Sequence, residues 1–549
     1  MRLFNKIVMG IGTAAVLLTS CTKNFEEINT NPNDPENVPT VSLALSGSRV
    51  LMDNIRDEWF AGRMVTPWVQ YWAQVNYTEE DRFQYRENSN NSTFKALYGT
   101  VMDFERIIEI AEDPELSGAY SLAYGNPNNQ IQAARIMKAW AFQLITDTYG
   151  PVPYSTYGSK EENPDFNALM AHEGVTNPDY VSQERIYADL LNELSEAVAA
   201  IDEGERVFDR NIIFERETAA SWKKFGNSLR LRIAVQAQKQ GVPGAAETIA
   251  ELANGENLIT SNDDNAAWFY DGSTLKGAPM YKAYFVNNRT DFAVAKPLID
   301  LLKGKTSTNG TANPFADLTD PRLFRYAVSV NVDETHFRGG TVEDAQSLDP
   351  ADYEGIPYGV PSEVAGAFAM SRVSMPGEPV LAADAAEIYI EAAEVYFLLS
   401  EINGFDQANY EAGVRASMER WGVESADIDA YIANLPAASE ETVLTQKYIA
   451  LYGQPHQAWS EYRRTGYPKH LIKKGDFTGA NYLDGNAIIA DAPMGDANDV
   501  FFAPLVDIDD LPARVNFAQE EELLNPAGYN QGKALIGEDH QSTTLWIFK

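Results

Sequence analysis

The stretch AEVYFLLSEINGFDQANYEAGVRASMERWG, residues 393–422, carries the strongest fold signal in this chain of 549 residues. An aromatic-rich apolar segment is followed by a turn at Asn403-Gly404 and by a second segment in which Ala412 and Ala416 lie about one helical turn apart. Small residues at that spacing allow two helices to approach closely, as in a tetratricopeptide-type hairpin. An ordinary helical hairpin is the alternative interpretation of this stretch taken alone.

Helical periodicity continues on both sides of this hairpin. Apolar residues recur three or four positions apart, which predicts helices, over 130–148, 184–202, 218–239, 245–254, 385–402, 407–420 and 442–464. The loops between these segments are irregular, so any helical repeats must be degenerate. The sequence therefore predicts a mainly α fold whose scaffold of helical hairpins covers about 130–255 and 385–465.

Periodicity fades between residues 255 and 380, although aromatic residues remain frequent there. A loop-rich stretch of that length inside a compact protein is usually either functional or disordered. Its aromatic content argues against disorder. We therefore expect a large, functional, loop-rich insert over about 255–380, within a single domain that covers residues 41–549.

The N-terminal residues have the pattern of a secretory signal peptide. A basic head with Arg2 and Lys6 precedes an uncharged run over residues 7–20 that ends in small residues. This run is too short for a permanent membrane helix, which needs about 20 apolar residues. The pattern predicts a signal peptide over residues 1–20 that is removed from the mature protein.

Cys21 follows this run and is the only cysteine of the chain. The residues LTSC at 18–21 resemble a bacterial lipobox, so we expect lipidation at Cys21, where each buried acyl methylene contributes about 0.8 kcal/mol of membrane affinity. The alternative is that Cys21 is a buried core residue. This alternative is less favoured because a free thiol is reactive in an oxidising compartment. Residues 21–40, rich in Asn, Pro, Asp and Glu, are predicted to form a lipidated spacer.

Charge excludes two classes of partner. The chain has 43 Lys and Arg residues against 79 Asp and Glu residues, a formal net charge of −36. A field of that sign repels nucleic acid, and it also repels an anionic lipid surface. Attachment to a membrane must therefore be through lipid alone.

The catalytic and cofactor-binding motifs that the sequence suggests are incomplete. The GKT at 304–306 lacks the glycine that a P-loop requires at position 299, and His172-Glu173 lacks a second histidine at position 176. We expect no cofactor, no metal and no catalytic residues. Calcium binding by the acidic loops SNDDN and DAPMGDANDV, and an Asp/Glu pair for glycoside hydrolysis, stay open because carboxylate separations cannot be read from sequence.

Six phrases, in order along the chain, resemble SusD/RagB-type outer-membrane nutrient-binding lipoproteins. They are CTKNFEEINTNPNDP, RIMKAWAFQLITDTYGPVPYS, SWKKFGNSLRLRIA, RTDFAVAKPLID with DPRL, AAEVYFLLSEI and QKYIALYGQPHQAWSEYRRTGYP. The resemblance implies four tetratricopeptide-like hairpins beside a loop-rich binding face. It also implies a lipid anchor at the outer face of the outer membrane and a SusC-like TonB-dependent transporter as partner. The expected role is capture of oligosaccharides, or in some members peptides, without catalysis.

The resemblance places ligand contacts in an N-terminal segment, here residues 64–87, and in loops between the repeats, here residues 264–292. Aromatic rings suit the C–H faces of sugars because they offer contact area at little entropic cost. We expect five stacking platforms and one polar clamp: Trp72, Tyr77, Tyr85, Tyr281 and Tyr284, with Arg289 as the clamp. Trp68, Tyr71 and Trp72 lie at helical spacing, so packing in the core is the alternative for Trp72.

Overall fold

The computed structural model describes residues 38–368 and 371–549. The predicted signal peptide, the lipidation site Cys21 and the spacer up to residue 37 lie outside the described residues. At Thr40, the last residue of the predicted spacer, a helix already begins. Nowhere in the described ranges is a helix both long enough and apolar enough to cross a bilayer.

Two long helices precede the predicted scaffold: α1, Thr40–Ile55, and α2, Glu87–Glu112. They pack on each other, and α2 also packs on α3, Pro127–Tyr149. Neither helix was predicted from the sequence. The buried face of α2 includes Asn90, Asn91 and Thr93, which interrupt the apolar spacing that would have indicated a helix.

The first half of the scaffold follows the predicted helices closely. After α3 come α4, Gln183–Ala200, α5, Ala219–Ala237, and α6, Ala245–Leu252, and each helix packs on the next. The contact between α4 and α5 depends on a glycine, because a Cβ at Gly226 would overlap the side chain of Val198.

The second half contains α7, Ala392–Ile402, α8, Gln407–Arg420, α9, Ser425–Ile432, α10, Glu440–Ala450, and α11, Pro455–Thr465. Two predicted boundaries are wrong. The segment 385–402 begins as strand β6, Ala386–Ile390, before α7 starts. The segment 442–464 is two helices, because a 3₁₀ turn at Leu451–Gly453 precedes Pro455, which opens α11.

The hairpin of α7 and α8 confirms the close helix approach predicted from its sequence, but a different residue permits it. A Cβ at Gly413 would lie 2.9 Å from Cε1 of the buried Phe397, which is closer than packed carbon atoms tolerate. Ala412 is half-buried, whereas Ala416 is buried. The close contact therefore lies at Gly413 and not at the predicted Ala412.

Buried ion pairs connect the scaffold helices. Arg232 of α5 donates two hydrogen bonds to Glu394 of α7, at 2.7 and 2.6 Å, and both side chains are almost fully buried. Arg135 of α3 donates to Glu193 of α4 at 3.1 Å, also in the interior. Both pairs are hydrogen-bonded charges, as buried charges must be.

The loop-rich face consists of residues 56–86 and 255–391. Its strands form two-stranded antiparallel ladders: β1, Trp72–Gln74, pairs with β5, Phe292–Val294, and β4, Ala266–Phe269, pairs with β6. Its helices are short, the longest among the described residues being Lys296–Leu302. The others are Ala61–Val65 and Lys282–Val286 (both π), Thr66–Trp68, Pro279–Tyr281, Leu323–Tyr326, Glu334–Gly339, Ser362–Ala365 and Glu378–Leu381, with 3₁₀ turns at Asn262–Asp264, Val342–Asp344 and Pro350–Asp352. The predicted loop-rich region is thereby confirmed.

Other short elements complete the domain. Strand β2, Val152–Pro153, pairs with β3, Tyr180–Val181. Strands β7, Phe477–Leu483, β8, Asn486–Ile489, and β9, Asp499–Phe501, form a three-stranded sheet in the order β8-β7-β9. The remaining elements are α12, Pro526–Ile536, the short helices Ser117–Tyr120 and Gln519–Leu524, and the 3₁₀ turns Leu122–Tyr124, Ala171–Glu173, Gln238–Gln240 and Trp546–Phe548.

A cluster of buried tyrosines attaches the loop-rich face to the scaffold. The rings of Tyr326 and Tyr452 stack with centroids 4.2 Å apart, and those of Tyr71 and Tyr448 lie 4.7 Å apart. The hydroxyl of Tyr448 donates to the carbonyl of Val69 at 2.7 Å. Each tyrosine of this cluster fills core volume while its hydroxyl finds a partner, as buried tyrosines require.

Candidate functional site

The two segments predicted to bind ligand lie side by side. Strand β1 of the first segment pairs with β5 at the end of the second, with Trp72 opposite Val294 and Gln74 opposite Phe292. Beyond the ladder, the backbone N–H of Val75 donates to the carbonyl of Asp291 at 2.8 Å. The pairing holds the turn over residues 279–289 at the surface of the loop-rich face.

One side of this turn lines an open cleft of about 460 Å³. Tyr281 and Phe285 lie half-exposed on the turn with ring centroids 5.6 Å apart, and Phe337 approaches Phe285 at 5.6 Å from the helix Glu334–Gly339. We call this the aromatic cleft; its lining also includes Arg338, Gly339, Gly340, Val342, Glu378, Leu381, Ala382 and Ala383. Phe337 is 2% exposed and packs against Phe285, so the half-exposed rings of Tyr281 and Phe285 are the ones on which a flat apolar surface can stack.

Charged groups lie at the rim of the aromatic cleft. The guanidinium of Arg338 donates to Glu334 at 2.8 Å and keeps part of its surface exposed. Partial burial raises the pKa of Glu378 above its usual range, and the nearby Glu343 raises it further. The rim thus offers hydrogen-bond donors and acceptors beside the rings, which is the combination that hydroxyl-bearing ligands need.

A second lobe of about 540 Å³ adjoins the aromatic cleft and shares Glu378 and Ala382 with it. We call it the acidic lobe, because Glu343, Glu378, Glu424 and Asp427 all line it. Arg325 also lines this lobe, but its Nε donates to the carbonyl of Trp421 at 2.8 Å. Carboxylates therefore outnumber cations along the wall.

The other side of the turn contacts a half-exposed tryptophan that our sequence analysis missed. The guanidinium carbons of Arg289, Arg63 and Arg86 lie 5.0, 5.1 and 5.6 Å from the ring centroid of Trp59. These distances fall within the range of cation–π contact. The four-residue interval from Trp59 to Arg63 could have indicated this contact from the sequence, because residues at that interval share a helix face.

Three of the predicted residues have exposed surface. Tyr281 lines the aromatic cleft. The Arg289 side chain is 41% exposed and lies over Trp59, with Glu58 at 3.6 Å. Tyr77 is 57% exposed and has a left-handed backbone, with φ of 59°. Among these three, only Tyr281 belongs to the lining of the aromatic cleft.

The other three predicted residues do not line the aromatic cleft. Tyr284 is fully buried, and its hydroxyl donates to the carbonyl of Phe292 at 2.8 Å. Trp72 is 4% exposed, and its indole N–H donates to the hydroxyl of Tyr452 at 2.7 Å. Tyr85 is half-buried, and its hydroxyl accepts a hydrogen bond from the backbone N–H of Asn516 at 3.2 Å. Tyr284 therefore offers no ring surface to a ligand, whereas Trp72 lines a separate, smaller cavity.

No group of three or more His, Cys, Asp or Glu side chains in the described parts of the chain is arranged to hold a metal ion. The site is therefore built from aromatic rings, guanidinium groups and separate carboxylates.

With this fold and cleft in view, comparison with known proteins identifies the class. Residues 32–488 match the model of a SusD-like family described as "Starch-binding associating with outer membrane". The chain belongs to this family. A search of curated proteins finds no significant match.

Solved structures agree on the fold. A chitin-binding SusD homologue from Flavobacterium johnsoniae superposes with a TM-score of 0.64 at 22% identity, over 93% of this chain and 98% of that one. SusD homologues from Bacteroides uniformis and Parabacteroides distasonis give TM-scores of 0.65 and 0.68, at 22% and 20% identity. Each alignment covers 92% of this chain, with 99% and 98% of the respective homologue. The mainly α fold with tetratricopeptide-like hairpins is confirmed.

Proposed function

We propose that this protein is a cell-surface lipoprotein that captures oligosaccharides in the aromatic cleft and delivers them to a SusC-like TonB-dependent transporter. The observation that carries the proposal is the pair of half-exposed rings, Tyr281 and Phe285, on one open cleft with the buried Phe337 against Phe285 and charged groups at the rim. The family is described as starch-binding and the Flavobacterium homologue as chitin-binding, and both descriptions support a glycan as the ligand.

Capture in this cleft is reversible and leaves the ligand unchanged. A sugar ring stacks its C–H face on Tyr281 or Phe285, while Arg338 donates to its hydroxyls and Glu378 accepts from them. Stacking on rings that are already positioned costs little conformational entropy. We propose no catalytic residue, so an oligosaccharide incubated overnight with the protein is expected to be recovered intact.

The site is tested by calorimetry against a panel of starch-derived and chitin-derived oligosaccharides. Tyr281→Ala is expected to weaken binding about tenfold, which corresponds to about 1.4 kcal/mol, whereas Tyr281→Phe keeps the ring and most of the affinity. Tyr529→Ala, at a half-buried tyrosine on α12, is the matched control and leaves affinity unchanged. Equal affinity of Tyr281→Ala and the parent protein would contradict the site.

The anchor and the partner form the second half of the proposal. Lipid on Cys21 attaches an acidic body to the outer membrane, where charge alone would repel it from anionic lipid. Cys21→Ser is expected to release the protein from the membrane fraction. Protease treatment of intact cells tests the outward orientation. Detergent extraction followed by affinity purification is expected to recover a large β-barrel transporter, and purification of the lipoprotein alone would argue against the partner.

The acidic lobe favours a second candidate ligand class, which is a basic peptide. Glu343, Glu424 and Asp427 are exposed on the wall of this lobe and would attract lysine or arginine side chains. In this version the role as transporter lid is unchanged and only the cargo differs. Binding of a lysine-rich peptide, weakened in Glu424→Gln and in high salt, together with no binding by any glycan of the panel, would favour the peptide.

A further inference from the structure

A smaller cavity lies between the loop-rich face and the scaffold, apart from the aromatic cleft. Its volume is about 200 Å³, which is below the roughly 300–1,000 Å³ of pockets that hold drug-sized ligands. Its mouth is formed by half-exposed residues that include Pro379 and Val380, and Pro379 also lines the acidic lobe. The cavity therefore adjoins the acidic lobe at Pro379.

Three aromatic side chains in fixed positions form part of the cavity wall. Trp421 and Tyr452 lie with ring centroids 6.0 Å apart, and the N–H of Trp72 is held by the hydroxyl of Tyr452. That hydroxyl donates in turn to the carbonyl of Tyr326 at 3.1 Å. The wall is thus preorganised, so a ligand would pay little for ordering it.

Polar atoms on the same wall are buried without partners. Arg56 and Trp421 are 5% and 6% exposed. Counting every partner in the described chain, Arg56 Nε, Arg420 Nη1 and Trp421 Nε1 make no hydrogen bond. Arg56 Nε does lie 3.3 Å from Glu387 Oε2, an ion pair whose orientation leaves the N–H unbonded. A buried donor left unsatisfied costs about 1–3 kcal/mol, so these groups call for an acceptor.

All three groups without a hydrogen bond are N–H donors, and two belong to guanidinium ions. Arg420 is already engaged on one edge by Glu391, with Nε 3.1 Å from the carboxylate, and it presents Nη1 on another. A planar guanidinium edge matches a carboxylate better than it matches a single hydroxyl. Glu387, whose pKa burial raises, is an acceptor on the wall for the hydroxyls of the same ligand.

We propose that this cavity is a second ligand site that binds one acidic sugar ring, a hexuronic acid. Its carboxylate accepts hydrogen bonds from Arg56, Arg420 and Trp421, while the sugar ring lies against the aromatic wall. The volume suits a single ring and excludes an oligosaccharide. The cavity and the aromatic cleft share no lining residue.

The experiment titrates the full-length protein with glucuronate and galacturonate, using glucose and galactose as neutral probes of the same size, by calorimetry and ligand-observed NMR. We expect binding of at least one uronate and at least tenfold weaker binding of both neutral sugars. Trp421→Phe keeps an aromatic ring but removes the N–H donor, and it is expected to weaken the uronate about tenfold.

A second variant guards against misfolding of the first. A Cβ at Gly453 would lie 3.7 Å from Arg420 Nη2 and 3.8 Å from Trp421 Cζ2, which is ordinary contact. Gly453→Ala therefore reduces the cavity and leaves every donor in place, and it is expected to weaken the uronate several-fold. Tyr281→Ala serves as the control from the aromatic cleft and leaves uronate binding unchanged.

Three results would overturn the proposal. The first is no uronate binding, which means that water alone satisfies the donors. The second is equal binding of neutral sugars, and the third is uronate binding that responds to Tyr281→Ala and not to Gly453→Ala or Trp421→Phe. Failure of the oligosaccharide panel to bind, with uronate binding intact, would instead remove the proposed function of the aromatic cleft and leave this site standing.

Discussion

The helical scaffold, α3 to α11, and the loop-rich face are built from different kinds of contact. In the first half of the scaffold each helix packs on the next helix in sequence. The buried ion pair Arg232–Glu394 links α5 in the first half to α7 in the second half. In the loop-rich face the pairing partners are distant, with Trp72 opposite Val294 and Phe269 opposite Ala386. Because its strands pair over long sequence separations, the loop-rich face depends on the helical scaffold to hold its ligand-binding surface in position.

The sharpest way to break the scaffold is to remove one partner of its buried ion pair. Arg232→Ala leaves the fully buried Glu394 without its guanidinium and is expected to lower the free energy of unfolding by about 3–5 kcal/mol. Arg415→Ala is the matched control, because Arg415 and Asp429 are both largely exposed, and it should cost less than about 1 kcal/mol. Urea unfolding measures both. Similar losses in the two variants would show that burial does not govern these pairs.

The loop-rich face is expected to respond to pH through Asp81. Burial raises the pKa of Asp81 to about 7, although hydrogen bonds from Gln74 oppose the shift. The unfolded chain ionises this group near its ordinary value of 3.8, so between these two values the folded protein binds more protons. The stability from the neutral carboxyl is therefore complete below about pH 4 and is lost as pH rises through 7.

Asp81→Asn isolates this contribution because the amide stays neutral and its oxygen can still accept from Gln74. Parent and variant are expected to have similar free energies of unfolding at pH 4. Between pH 4 and 7 the free energy of unfolding of the variant should rise relative to that of the parent by up to about 1.4 kcal/mol per pH unit. The difference should reach a few kcal/mol at pH 8. A difference that stays constant from pH 4 to pH 8 would contradict the prediction.

Two glycine substitutions, one in the scaffold and one in α2, test how closely the helices pack. Gly413→Ala places a methyl group against Phe397 and is expected to destabilise the protein by about 1–3 kcal/mol. Gly99 lies within α2, and a Cβ there would meet nothing within 4 Å. Gly99→Ala should therefore stabilise the protein by about 0.5–1 kcal/mol through helix propensity. Thermal and urea unfolding distinguish the two signs, and destabilisation by both would mean that α2 has an unrecognised neighbour at Gly99.

Sequence reasoning predicted the scaffold well because helical periodicity is a local property. The segment 130–148 became α3, Pro127–Tyr149, and 407–420 became α8 with the same bounds. It failed at β6, where the residues AEIYI continue into the apolar start of α7. The strand exists because it pairs with β4, which lies far away in sequence, and no local pattern encodes that partner.

The candidate site was less predictable for the same reason. Tyr281 was predicted and lines the aromatic cleft, but Phe337 reaches the cleft from a separate short helix that gave no signal. Trp72 and Tyr284 were predicted as stacking platforms, with core packing as the alternative for Trp72, and both side chains are buried. Residue type predicted which side chains could bind a sugar, whereas exposure depended on the tertiary pairing.

The smallest expected effect concerns Arg289, where the loop-rich face contacts Trp59. The Arg289 side chain is 41% exposed, its guanidinium lies 5.0 Å from the ring centroid, and Glu58 lies 3.6 Å away. An exposed cation–π contact contributes about 0.5–1 kcal/mol, and burial already raises the pKa of Glu58, so this carboxyl can take up a proton when the arginine is lost.

Arg289→Ala is therefore expected to lower the free energy of unfolding by less than about 1 kcal/mol, while Arg289→Lys keeps the charge but loses the planar stacking. If Arg289 acts as the polar clamp that the sequence predicts, although it does not line the aromatic cleft, calorimetry should show oligosaccharide affinity falling several-fold in both variants, at nearly unchanged stability. A stability loss comparable with that of Arg232→Ala would instead show that Arg289 has a structural role. A surface side chain that serves only to bind ligand contributes little to the stability of the ligand-free protein.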